Sequence, residues 1–376
     1  MNELLFYDKK WIRKNIIFIG SCILMSLILL FLSRNTEGFA EWYATYIYPV
    51  FPNSIGRLFS VLPFSIFEAG ICFFILMTTF YILKVLWLAV SKHGNWKRYF
   101  VKGMMMLLSI LSSFLLLYTL TSAINYDREA LSNQIGLPME KSSKEELVSL
   151  SMILIDDLSG LAANEGISES NNAIDQAAIR QEAVEAMQTL GKKYPSLSGY
   201  YPNPKPVVFS KAMSYLGIDG IYSPFSLEAN YNDDILPANI PYTICHELAH
   251  LKGYMREDEA GFWAFLACRN SSSVQLQYSG EINALAFVLN QLQYETSQEE
   301  FLSIYHQIPE RVRMDLTFNQ RYAENHSSDL TAIVRKVNNL YLIANAQSEG
   351  IKSYGLMVDL LLAEYADRIR TDAETL

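Results

Sequence analysis

Residues 246–250 read His246-Glu247-Leu248-Ala249-His250. Two histidines four positions apart on an α-helix are about 400° of rotation apart, so both imidazoles project from one face and can share a metal ion. Glu247 stands about 100° round the helix, too far aside to be a ligand beside its neighbours. It can instead reach a water molecule activated at that metal and act as general base. The 376 residues contain only five histidines, and two of them are in this motif. The chemistry such a pattern supports is metal-assisted hydrolysis, with Zn2+ as the fitting ion.

A catalytic zinc takes a third protein ligand and keeps one position open. One known extension of the motif places a glycine and then a further histidine downstream. This chain follows it to Gly253 but has Arg256, a permanent cation, where that histidine would stand. The candidates are therefore the carboxylates that follow, Glu257 and Glu259. On a helix the face of Glu257 continues through Ala260, Gly261, Ala264 and Cys268, all small. The face of Glu259 continues through the bulky Phe262, Trp263 and Leu266. Small residues allow close approach to the His246–His250 helix, which favours Glu257, with Glu259 as the alternative.

Other polar residues carry weaker signals. Asn230 and Asn232 close a strand-like run just before the metal helix, where an edge strand could align an extended peptide; a structural turn explains them equally well. His306, His326, Arg321, Tyr322 and Tyr354 could each stabilise an oxyanion, although surface or packing roles suit each one alone. Cys245 and Cys268 read as two buried free thiols, which an oxidising compartment could pair.

The elements around the motif read as mostly helical. Ser143 and Glu146 form a capping box ahead of a periodic stretch to about Leu161. Residues 163–172 read as a loop and 173–192 as a second helix. Tyr194 to Pro206 reads as an extended, proline-rich connection, with short strands at 207–210 and 221–232. Helices are predicted near 241–252, 256–269, 275–293, 297–307, 328–346 and 352–369, giving an α+β domain with a helical majority.

The first third of the chain has a different composition. Residues 1–126 carry a net charge of +6 and residues 127–376 a net charge of −15, together the −9 of the whole chain. Runs at 15–33, 64–90 and 103–126 are long and apolar enough to cross a bilayer. The first is too long for a signal-peptide core and lacks a cleavage pattern. Lys9, Lys10, Arg13 and Lys14 precede the first span, and Lys84, Lys92, Lys97, Arg98 and Lys102 lie at the second loop. Only Arg34 and Arg57 lie between spans one and two. This bias places the N-terminus in the cytoplasm and residues 127–376 outside it. Trp42, Tyr43, Tyr46 and Tyr48 suit an aromatic belt at the outer interface, or the core of a small hairpin. No acid, arginine or histidine lies deep within a span, which disfavours a transporter. The acidic remainder disfavours a nucleic-acid partner.

The chain resembles the bacterial membrane proteins of the domain of unknown function 3810 family. The resemblance rests on Gly220-Ile-Tyr-Ser-Pro-Phe225, Glu228-Ala-Asn230, the His246–His250 motif with Gly253, Arg256-Glu-Asp-Glu-Ala260 and Ser353-Tyr-Gly355. It implies three N-terminal spans and an outer zincin-like (gluzincin-type) domain with metallopeptidase activity. The metal segment is also similar to membrane zinc peptidases of the prenyl-protease class, whose later Glu-x-x-Ala motif binds zinc. Glu257-Asp-Glu-Ala260 matches it, while Gly261 and the short spacing from His250 depart from it.

The expected molecule is a membrane anchor (1–126) joined to an extracytoplasmic, zinc-dependent peptidase domain (127–376). It would be a multi-pass protein of the cell (inner) membrane, with the lipid bilayer and a peptide or protein substrate as partners. The alternative is a non-catalytic, zinc-stabilised sensor or scaffold that binds a peptide or cell-wall component.

Overall fold

A computed structural model describes residues 2–91, 96–139, 143–164, 175–345, 347 and 356–374. The first part holds α1 (Asn2–Asn35), α2 (Phe39–Tyr46), α3 (Arg57–Ser60), α4 (Ile66–Val90) and α5 (Trp96–Thr121). Then follow α6 (Leu131–Ile135), α7 (Lys144–Ala162), α8 (Gln176–Lys193), β1 (Lys205–Pro206), α9 (Ser210–Leu216), β2 (Gly220–Ser223) and β3 (Glu228–Tyr231). The remainder is helical: α10 (Ile240–His250), α11 (Glu257–Arg269), α12 (Val274–Glu295), α13 (Gln298–Tyr305), α14 (Glu310–Asn325), α15 (Asp329–Ala344) and α16 (Leu356–Glu374).

Three segments, Lys9–Asn35, Ile66–Val90 and Trp96–Asp127, are helical, apolar and long enough to cross a membrane. The chain is a membrane protein by this measure. Helices α1 and α5 pack along each other, whereas α4 has no buried residue and touches α5 more lightly. Gly103 permits that crossing, because a Cβ there would collide with the Tyr81 ring.

The remaining helices enclose one core. Helix α12 runs along α7, α11 and α10, and α16 closes against α7 and α11. Trp263, Phe262, Phe265, Leu150 and Leu154 are fully buried at its centre. Each such side chain contributes about 1.5–3 kcal/mol by leaving water. The Ser143–Glu146 capping box is present at the start of α7, and Asp175 caps α8. The expected loop at 163–172 falls largely outside the described residues.

The sheet is small and mixed, in the order β1-β3-β2, with β1 parallel and β2 antiparallel to β3. Two expectations are corrected here. The strand expected at 207–210 lies one step earlier, at β1, because Ser210 already opens α9. The run 221–232 is not one strand but a hairpin, broken at Pro224 and turned through Leu227 in the left-handed region (φ 54°).

The segment between the first two spans is not confined to a membrane belt. Tyr43 (3% exposed) and Tyr48 (1%) are buried in the same core as Leu150 and Trp263, while Trp42 (49%) and Tyr46 (68%) remain exposed. The packing therefore crosses the expected boundary at residue 126. The Tyr43 hydroxyl donates to Leu120 O at the end of α5, and the Tyr48 hydroxyl donates to Leu251 O just after α10.

Candidate metal centre

The site is built on the corner between α10 and α11. Pro241 opens the first turn of α10, where its missing N–H costs nothing. Leu248 and Ala249 are fully buried, which fixes the face that His246 and His250 share. Their rings meet edge to face, with centroids 4.6 Å apart. The chain leaves the helix through Gly253, whose φ of 84° suits glycine and whose Cα faces the Tyr48 ring. It re-enters a helix at Glu257, so this carboxylate sits at the N-terminus of α11.

Glu257 Oε2 lies 3.2 Å from His246 Nε2 and 3.7 Å from His250 Nε2. One ligand atom from each of the three residues falls within 4.8 Å of the others, a group able to hold a metal ion. His250 Nδ1 is 2.7 Å from Tyr254 O, which can only accept, so this nitrogen carries the proton. Nε2 is thereby turned toward the centre, where a metal ion would take the place of its proton.

The electrostatics agree with a place for positive charge. Burial opposes the charged form of Glu257, yet hydrogen bonds from His246 and His250 hold its carboxyl well below the usual range. Burial likewise opposes charge on His250, but Glu257 and Glu247 raise its imidazole to about 9. Burial lowers His246, with Glu257 partly offsetting it. Two imidazoles and one carboxylate, without a lysine or arginine among them, are a donor set that suits zinc.

Glu247 points from α10 toward β2. A Cβ on Gly220 would strike its carboxylate, and the Tyr222 backbone N–H donates to it. Burial raises its carboxyl to about 8. A carboxyl in that range can both accept and release a proton near neutral pH.

Glu259 is directed elsewhere. It accepts from Leu131 N at 2.8 Å and from Arg256 Nη1 at 2.7 Å, which commits its oxygens elsewhere, while burial still raises its carboxyl to about 7. Asn230 and Asn232 flank no free edge, since β3 is the central strand. Asn230 donates to Ile221 O within the hairpin, and Asn232 ties Ser214 Oγ and Ile218 O, a structural turn. The sheet edge beside Glu247 is β2. Tyr354 lies outside the described residues. His306 and Arg321 are exposed, while His326 packs on the Tyr215 and Tyr322 rings, away from the metal group. The Tyr322 hydroxyl binds Ser214 and Asp234. Cys245 and Cys268 are buried free thiols with sulfurs 3.8 Å apart across α10 and α11.

Several residues that frame the site have no motif around them. Tyr222 lies with its ring 6.3 Å from that of His250, and its hydroxyl donates to Thr121 O at the last residue of α5. Arg128 joins Glu41 to Gly253 O and lies over the Tyr254 ring. The α10–α11 corner is thus braced directly against the end of the third apolar helix.

A family model described as protein of unknown function (DUF3810) matches residues 43–362. The chain belongs to this family. The match includes α4, α5, the sheet and the whole α10–α11 corner. Among curated proteins and solved structures, none matches the chain.

Proposed function

We propose that this member of the family is a membrane-anchored, zinc-dependent peptidase with a zincin-like, gluzincin-type domain on the extracytoplasmic side of the cell membrane. The observation that carries the reading is the convergence of His246, His250 and Glu257 beside a Glu247 that, among the described residues, makes no contact with a permanent cation. His246, His250 and Glu257 would hold the metal, and zinc bound there supplies Lewis-acid polarisation of water and of a carbonyl. Glu247 takes the proton of the attacking water and returns it to the departing amine, so that water and a peptide bond become an acid and an amine. Backbone groups along the β2 edge align the extended substrate next to Glu247. The excess of lysine and arginine before α1 and between α4 and α5 supports the extracytoplasmic placement of the site.

The reading is tested on the full chain in membranes with a peptide library. Cleavage that a chelator abolishes and zinc restores supports it. A metal-loaded chain that cleaves no peptide would leave a zinc-stabilised sensor or scaffold. A periplasm-dependent reporter fused after Leu376 should be active, and an inactive one would reverse the topology.

A further inference from the structure

Helix α15 carries an apolar face that no part of the described chain covers. Each residue turns the helix by about 100°, so Leu330, Ile333, Val337 and Leu340 fall within one sector of its surface. Ile333 (57%), Val337 (60%) and Leu340 (66%) are largely exposed. A second sector, with Thr331 and Leu342, is buried against the domain, and a third carries Arg335 and Asn339. Three faces of distinct character imply three environments: protein, water and a third that is apolar.

The position of the helix identifies that third environment. At its C-terminal end, Ala344 O accepts from Arg34 at the end of α1, and Asn345 Oδ1 accepts from the Tyr118 hydroxyl near the end of α5. At its N-terminal end, Thr331 Oγ1 donates to Tyr215 O in α9. The segment leading into α9 is in turn fixed to the second span, because Val208 N and Phe209 N donate to Glu68 in the first turn of α4. The end of α1 and the start of α4 lie on one side of the membrane because no span separates them, and the end of α5 returns to that side because the chain crosses twice, through α4 and α5. Helix α15 is therefore tied at both ends to the level where all three apolar helices leave the bilayer.

We infer that α15 is an interfacial helix that lies along the bilayer surface, with Ile333, Val337 and Leu340 among the acyl chains and Lys336 at the headgroups. Its apolar face continues the lipid-facing surface of the spans, and Val208 and Phe209, both exposed at the start of α9, extend the same layer. This assignment is independent of the peptidase reading and of which side of the membrane the domain occupies.

The test uses the full chain, one copy per phosphatidylethanolamine–phosphatidylglycerol nanodisc, so that no second copy can cover the face. Single spin labels are placed through Ile333→Cys, Val337→Cys and Leu340→Cys, with Ala332→Cys and Arg335→Cys as controls. All five carry Cys72→Ser, since the other three thiols are buried or deep in a span. Collision with oxygen relative to a water-soluble nickel chelate should be several-fold higher at the three stripe positions than at the two controls. Equal ratios at all five positions would overturn the assignment. A diazirine-bearing lipid, photolysed with the unsubstituted chain, should leave adducts on residues 330–340, and adducts confined to α1, α4 and α5 would also overturn it.

Discussion

Two regions of the molecule hold buried or half-buried glutamates at junctions between elements, and they treat the charge in opposite ways. At the junction of sheet and membrane helix, Glu228 on β3 accepts from Lys205 Nζ at 2.6 Å and from Ile66 N and Phe67 N at the start of α4. Its charge meets a permanent cation and the positive end of a helix. At the α10–α11 corner, Glu257 meets only two imidazoles, whose charge depends on a proton or a metal. Two positions further on, Glu259 returns to the first pattern with Arg256. A buried carboxylate with its own lysine or arginine is a structural fastening. One whose partners are titratable ligands is placed to receive a cation.

The contrast is broken most severely by removing the ligands. His250→Ala should abolish stoichiometric metal binding, read by elemental analysis of the purified chain. Lys205→Met should leave metal binding intact in whatever folds but cost about 3–5 kcal/mol, because Glu228 remains buried without its cation. The pair Lys205→Met with Glu228→Leu should recover much of that loss in denaturant titration. Glu259→Gln should cost on the order of 1–3 kcal/mol by weakening its contacts with Arg256 and Leu131 N, with metal content unchanged.

An effect of similar size concerns a further buried acid, Glu281, whose carboxyl burial raises from its ordinary 4.5 to about 7. The folded state favours its protonated form, so its contribution is full below about pH 4.5 and is lost as pH rises through about 7. Glu281→Gln should therefore gain stability relative to the parent across that window, by roughly 1–3 kcal/mol. A pH-independent difference would contradict the assignment.

What could be read from the sequence follows the same division. His246, His250 and Glu257 lie within twelve consecutive residues, and helix geometry alone brings them together. The small face through Gly261 and Cys268 marked the close packing of α11 on α10, where the Tyr242 hydroxyl now meets Gly261 O. Glu228 and the start of α4 are 161 and 162 residues apart, and no local pattern joins them. The edge position expected for Asn230 failed because its partner β1 is two residues long and precedes a helix. Helix α14 escaped notice because it is polar and buries little beyond Val312 and Asp315. Tyr43 and Tyr48 read as a membrane belt because aromatic composition is the same for a belt and for a core beneath the membrane surface.

The central claim is that His246, His250 and Glu257 form the metal centre and that Glu247 works beside it without holding the ion. Metal content of the purified full-length chain, measured in parallel for the parent, Glu257→Gln and Glu247→Gln, tests it most directly. The account predicts one zinc per chain in the parent and in Glu247→Gln, and strong depletion in Glu257→Gln. No zinc in the parent, or full retention in Glu257→Gln, would contradict it.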